Sequence, residues 1–302
     1  MKQDILSIQD LSGSELHGIV DMGIHLKSLR NAGIDHALAR KHTLGMIFEK
    51  ASTRTRVSFE VAMFELGGHA LFLNPGDLQM GRGEAVRDTA RTLSGYLSLI
   101  MYRSFHHETA VELAKYAEIP VINGLSDHEH PCQILGDIMT MQEAFGRTEG
   151  LKVTYVGDSN NVCNSLLLAA PMAGYEMAVC SPEGFGPKEE ILHQADSVGS
   201  RYELFTSPEK AVSGADVVYT DTWISMGNEE EREIRLRAFA GFTVNEALMQ
   251  RAADGAKVMH CLPAHRENEI SSVVMDGPSS VIWNQAENRL HAQKALMKML
   301  LE

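Results

Sequence analysis

Leu44-Gly45-Met46-Ile47-Phe48-Glu49-Lys50-Ala51-Ser52-Thr53-Arg54-Thr55-Arg56 is the stretch that decides how this chain folds. Leu44 to Phe48 is a short apolar run, the signature of a strand buried on both faces. The residues after Thr55 read as a helix with Val57, Val61 and Phe64 on one face. A buried strand that turns directly into a helix is the opening of a parallel α/β unit. The turn itself is rich in anion donors. Backbone N–H groups at a helix N-terminus lack intrahelical partners, and the helix dipole favours negative charge there. Ser52, Thr53 and Thr55 add hydroxyls, and Arg54 and Arg56 add forked guanidinium donors that match phosphate oxygens. A capped helix with a solvated charge pair is the plainer alternative. Three hydroxyls combined with two arginines favour an anion.

Outward from this stretch, strand and helix patterns alternate. An amphipathic helix carrying Leu16, Ile19, Met22, Leu26 and Leu29 precedes it. Strands are expected at 70–73, 99–102 and 120–123, separated by helices over 84–96 and 109–117 and followed by a long helix over 131–145. The alternation restarts after Gly146 to Gly150, with strands at 152–156, 177–180, 216–220 and 257–261 and helices at 161–173, 188–198 and 285–301. Ser207-Pro208-Glu209 predicts a further helix start, with a capping hydroxyl before a first-turn proline. Two such runs imply an α/β fold of two doubly wound parallel-sheet domains, with a boundary near 145–150.

The 302 residues suit two domains. A 44% hydrophobic content supplies their cores. No apolar run of about 18 residues suggests a membrane span, and the N-terminal stretch lacks a signal-peptide pattern. Cys132, Cys163, Cys180 and Cys261 form no CxxC pair, so a reducing, cytoplasmic compartment is expected. The net charge of −13 argues against nucleic acid as a general partner, which needs a basic footprint. It leaves open a small anion held by local donors.

Parallel sheets bind ligands beyond the carboxyl ends of their strands. Arg103 follows the 99–102 strand. His128-Glu129-His130-Pro131-Cys132-Gln133 follows the next, and Pro131 fits a first helical turn. His128 and His130 lack a third nearby metal ligand, so no metal site is expected. One imidazole and the Gln133 amide as donors to an oxygen, or a purely structural histidine, both remain open. Gly157-Asp158-Ser159-Asn160-Asn161-Val162 stands where a dinucleotide fold carries its glycines, but 159 and 162 are serine and valine, which disfavours NAD. Asn160 and Asn161 offer amides to a small polar ligand instead. Asp221-Thr222-Trp223-Ile224-Ser225-Met226-Gly227 places a carboxylate at a strand end, suited to an ammonium group. His260-Cys261-Leu262-Pro263 places a thiol at another; nucleophile, orienting contact and buried small hydrophobe are all open.

Taken together, Ser52-Thr53-Arg54-Thr55-Arg56, Arg103 and His130-Pro131-Cys132-Gln133 resemble the carbamoyl phosphate site of the aspartate/ornithine carbamoyltransferase family. The 221–227 and 260–263 segments, Asn161 and Arg289 resemble its ornithine branch. The resemblance spans the chain with its motifs in order. It implies a carbamoyl phosphate domain (1–147), an ornithine domain (148–284) and a C-terminal helix (285–302) packing back on the first. It implies that Ser52, Thr53, Arg54, Thr55, Gln79, Arg103, His130, Pro131, Cys132, Gln133 and Arg289 bind carbamoyl phosphate, Gln79 entering a neighbouring subunit's site in a homotrimer. It also implies that Asn161, Asp221, Ser225, Met226, Cys261 and Leu262 bind L-ornithine, and that no cofactor is needed. Catalysis then falls to Arg54, Arg103, His130, Asp221 and Cys261, with the segment around Gly227 as a lid. Cys261 is also a soft donor at which zinc would inhibit. Transferases of this fold that act on putrescine lack the serine-methionine-glycine motif, and those that act on aspartate lack the 221–227 and 260–263 motifs. A regulatory homologue should have lost a charged site residue, and none is missing.

Overall fold

The computed structural model describes residues 2–74, 76, 78–224 and 229–302. The chain divides into two compact units, Met1–Met139 with Glu287–Glu302, and Thr140–Ala286. Each is built on one fully parallel sheet. In the first unit the strands are β1 (Thr43–Phe48), β2 (His69–Leu73), β3 (Leu99–Arg103) and β4 (Val121–Leu125), in spatial order β2-β1-β3-β4. In the second they are β5 (Lys152–Val156), β6 (Glu176–Cys180), β7 (Tyr202–Phe205), β8 (Val217–Thr220) and β9 (Lys257–His260), in order β7-β6-β5-β8-β9. Both orders reverse once, between β1 and β3 and between β5 and β8. In doubly wound sheets the crevice for a ligand opens at such a reversal, beyond the carboxyl ends of the strands.

Burial explains the strand sequences. β3 is buried along its whole length and β1 along all but its first residue. Helices covering both sheet faces require this, and it explains the continuous apolar runs. Ile47, Ile100, Tyr102, Leu113 and Val121 form one core of the first unit. Val156, Cys180, Val218, Trp223, Phe239 and Val258 lie together in that of the second. Edge strand β7 was not expected from sequence. Its four residues are half-buried or exposed and show no clean apolar alternation. The helix start at Ser207 holds, but not its cap: the helix is only Pro208–Ala211, and the Ser207 hydroxyl donates to the Glu209 carboxylate at 2.8 Å rather than capping the backbone.

The Thr53–Glu65 helix corrects a second reading. Its buried face is Thr55, Phe59, Ala62 and Met63. The expected apolar face instead points outward, with Val57 50% and Phe64 78% exposed. Among the described residues, no helix is long and apolar enough to cross a membrane.

The closing helix, Ile282–Leu301, returns its final turns to the first unit through polar contacts. Lys294 is fully buried and donates to Glu65, with His36 Nε2 3.0 Å from its Nζ. Lys27 donates to Asn288 Oδ1 at 2.8 Å. His291, also fully buried, has no hydrogen-bond partner for either ring nitrogen among the described residues. Burial and then Lys294, Lys27, Arg30 and His36 hold its pKa down at about 3, while Glu287 lies 3.6 Å from its Nε2. The unfolded imidazole titrates near 6.5. The neutral ring therefore favours the folded state fully above pH 6.5, and that contribution drains away as pH falls from 6.5 towards 3. Urea midpoints measured across this window are expected to fall, and His291→Leu should flatten the fall at little cost near pH 7. An unchanged slope in the variant would assign acid sensitivity to other groups.

Candidate active site

In the first unit, β1 and β3 end side by side, with Phe48 paired to Arg103. Glu49 fixes the turn after β1: its carboxylate accepts from the Tyr102 hydroxyl at 2.6 Å and from Phe105 N–H at 2.7 Å. Ser52 then caps the helix, its Oγ accepting from Thr55 N–H at 3.3 Å and donating to Thr55 Oγ1 at 3.1 Å. Residue 53 onward is helical, so the helix N-terminus faces the crevice between β1 and β3. Pro131 opens the Pro131–Phe145 helix, as its fixed φ favours. That places His130 just before the helix and Gln133 in its first turn, both buried. Arg289 comes from the closing helix. Its Nη1 donates to Gln133 Oε1 at 2.6 Å and its Nη2 to Thr55 Oγ1 at 3.4 Å.

These contacts gather positive charge in an acidic protein. His130 is buried within the electrostatic reach of Arg289, Arg103 and Arg54, and burial followed by those three cations holds its pKa well below the histidine range. Lys50 is shifted down in the same way, by burial and then by Arg103. A crevice that penalises protonation of its own imidazole is ready for an anion. The imidazole stays neutral, so it donates one N–H without competing as a cation. Cys132 does not face this crevice through its thiol. Its Sγ donates to Asn123 O at 3.5 Å within the core, where burial pushes the thiol up to about 12. Gln79 is exposed at the start of the short 3-10 helix Gln79–Arg82, apart from the crevice residues in the sequence.

In the second unit the residues at the ends of β5 and β8 are joined by hydrogen bonds. Asn160 caps the Asn161–Ala173 helix, its Oδ1 accepting from Val162 and Cys163 N–H. Its Nδ2 donates to Asp221 Oδ2 at 2.6 Å, and Thr222 N–H donates to Asp221 Oδ1 at 2.7 Å. Asp221 is thus oriented at the end of β8, and Asn161 begins the helix opposite. After β9, Leu262 sits in the left-handed region at φ 60, a costly conformation for a branched residue. Its N–H donates to His260 Nδ1 at 2.8 Å. That bond makes Nδ1 the acceptor, so Nε2 carries the proton and donates to the buried Glu269 carboxylate at 3.2 Å. Donor atoms of Asp221, His260 and Cys261 lie within 4.8 Å of one another. The set would suit a soft metal, but both ring nitrogens of His260 are already engaged in holding the loop. Ser225 and Met226 lie outside the described residues, as does Gly227.

Both units have counterparts among known proteins. The model of the aspartate/ornithine carbamoyltransferase carbamoyl-P binding domain matches residues 3–143, and that of the Asp/Orn binding domain matches residues 149–300. An ornithine carbamoyltransferase of Methanoculleus marisnigri is 56% identical over 301 residues, covering 100% of this chain and 97% of that protein. The chain belongs to the ornithine carbamoyltransferase family. The "Ornithine carbamoyltransferase, anabolic" of Pyrococcus furiosus is 50% identical, covering 99% of this chain and 96% of that protein. A solved ornithine carbamoyltransferase structure from the same organism superposes with a TM-score of 0.94, at 50% identity and over 98% of this chain and 96% of that one. The structure from Thermus thermophilus gives 0.90 at 39% identity, covering 100% of both chains. As a member of this family the chain is an enzyme, a transferase that moves the carbamoyl group of carbamoyl phosphate to the δ-amine of L-ornithine, giving L-citrulline and phosphate.

Against this family site, the sequence reading missed residues that act through others. Asn160, expected to offer its amide to a ligand, donates it to Asp221. His260 and Glu269 set the loop that carries Cys261 and Leu262. Arg235 is buried, and its Nη1 donates to Asp158 Oδ2 at 2.7 Å and to Trp223 O at 3.0 Å, tying the ends of β5 and β8 together. Its only sequence signal was an arginine in an otherwise solvated charged helix. The neutrality of His130 has a direct check. In the free enzyme, its imidazole nitrogens followed by ¹⁵N NMR should keep neutral shifts well below pH 6.5. A transition near the ordinary histidine value would remove the cationic crevice from the description.

Proposed function

We propose that the first unit holds carbamoyl phosphate at the N-terminus of the Thr53–Glu65 helix and the second holds L-ornithine beside Asp221. The observation that carries this reading is the group of Arg54, Arg103 and Arg289 around a buried neutral His130. Ser52, Thr53, Arg54 and Thr55 take the phosphate through backbone N–H, hydroxyl and guanidinium donors. Arg103, His130 and Thr55 face the carbamoyl oxygen. Gln133 and Arg289 complete that side, with Pro131 and Cys132 setting the backbone from which they project. Asn161 and Asp221, with Ser225 and Met226, read the α-amino acid end of ornithine, while Cys261 and Leu262 line the path of its side chain.

The chemistry follows from this placement. An ammonium with the ordinary lysine-like pKa of about 10.4 must shed a proton before it attacks. The neutral amine then forms the new C–N bond at the carbonyl carbon, the C–O bond to phosphate breaks, and the extra proton on the attacking nitrogen leaves with the phosphate. Negative charge rises first on the carbonyl oxygen, opposite Arg103, His130 and Thr55, and then on the departing phosphate, opposite Arg54 and the helix end. No covalent enzyme intermediate is required. Donors fixed in advance stabilise such charge without reorganising.

Two further parts of the reading concern assembly and setting. The outward-facing Val57 and Phe64, together with the half-exposed Leu71 and Phe72 of edge strand β2, support a homotrimer whose subunits share Gln79. The chain's cysteine usage supports a cytoplasmic location. The relative named anabolic supports work in the synthetic direction, towards arginine.

Citrulline formation assayed with ornithine, aspartate and putrescine should be found with ornithine alone. His130→Ala should lower kcat by about 10²–10³; an unchanged kcat would take His130 out of the mechanism. Light scattering should report three chains, and Phe64→Glu should yield monomers that have also lost activity. Active monomers would end the proposal that sites are shared.

A further inference from the structure

We propose that Gln293 is a positioning residue for carbamoyl phosphate, acting through Arg289. Gln293 lies one helical turn beyond Arg289 and is fully buried. A buried amide is costly unless its donors and acceptor are matched. One orientation matches them all. Its oxygen accepts from Arg289 Nη2 at 2.8 Å and Nε at 3.3 Å, and its nitrogen donates to Ser58 Oγ at 2.6 Å and to Arg289 O at 3.0 Å. Ser58 in turn donates to Thr55 O at 3.2 Å. Gln293 therefore takes both donors of the Nε–Nη2 edge of the guanidinium and fastens it to the helix whose first turn receives the phosphate.

The other side of Arg289 is fixed as tightly. Gln133 accepts from Nη1 at 2.6 Å, and the Gln133 amide nitrogen donates to Asp137 at 2.8 Å. Gly136 lets the two helices close: a Cβ there would lie 3.1 Å from Arg289 Cδ and 3.3 Å from its backbone nitrogen. An arginine side chain carries several rotatable bonds, and its freedom must be surrendered when it binds an anion. Gln133 and Gln293, gripping the guanidinium from two sides, remove that freedom before the ligand arrives. A leucine at 293 would fill the volume but release one side.

This inference rests on the carbamoyl phosphate reading above. Steady-state kinetics on the full-length enzyme test it through four proteins: wild type, Gln293→Leu, Arg289→Met and the double variant. Gln293→Leu should raise KM for carbamoyl phosphate about tenfold and leave KM for ornithine within about twofold, the scale of one charge-assisted hydrogen bond. In the Arg289→Met background the same substitution should have no further effect, because its target is gone. Ser58→Ala, a milder change, should move the carbamoyl phosphate KM in the same direction. It decides the matter in the same cycle if Gln293→Leu fails to fold. Additive effects in the cycle, or a lowered melting temperature with unchanged KM, would make Gln293 structural only and overturn the proposal. If Arg289→Met itself left the carbamoyl phosphate KM unchanged, the failure would lie in the underlying site reading.

Discussion

Like charges crowded together at the carboxyl ends of β1 and β3 are the constraint around which the first unit is organised. Three guanidinium groups, after burial itself, suppress protonation of a buried imidazole, and Arg103 also lowers the pKa of Lys50. Left alone, such a cluster opposes folding, and the rest of the unit offsets that cost. Glu49 locks the turn, Ser52 caps the helix, and Gln133 and Gln293 hold Arg289 through neutral amides rather than carboxylates. The choice of amides is significant. A carboxylate at either place would neutralise the guanidinium and forfeit the attraction for an anion. An amide orients the group and leaves its charge available.

The second unit solves a different problem. The ligand proposed for it is a small amino acid with a reactive amine, and the crevice offers one oriented carboxylate beside neutral amides. Asp221 is fixed by Asn160 and Thr222 N–H. The strained backbone at Leu262 is held by an imidazole that is itself held by Glu269. Strain of that kind persists only where neighbours over-determine it. Here they place the Cys261 sulfur within reach of Asp221.

Much of this was legible in the chain. β5 and the Asn161–Ala173 and Pro131–Phe145 helices match the sequence reading to the residue, because buried apolar runs and a first-turn proline are strong local signals. Strand-end residues were legible for a general reason: a parallel sheet gathers its ligand groups there. What escaped was non-local or unburied. β7 carries no periodic signal, and the Val57 and Phe64 face satisfies helical spacing yet is exposed in the single chain. Gln293 carries no ligand-like signal in the sequence, and His260 stands out there only as the neighbour of Cys261. Their roles exist only once Ser58, Arg289, Leu262 and Glu269 are brought to them by the fold.

The closing helix gives the anion crevice a particular place in the order of events. Arg289 meets Thr55 across 234 residues of sequence, and Lys294 meets Glu65 across 229. Contacts that distant carry a large loop-closure cost and tend to form late. The β1-to-helix turn can assemble from neighbouring residues, but its last guanidinium comes with one of the most remote segments of the chain. The donor set proposed for the phosphate is therefore complete only once that remote segment has docked on the first unit.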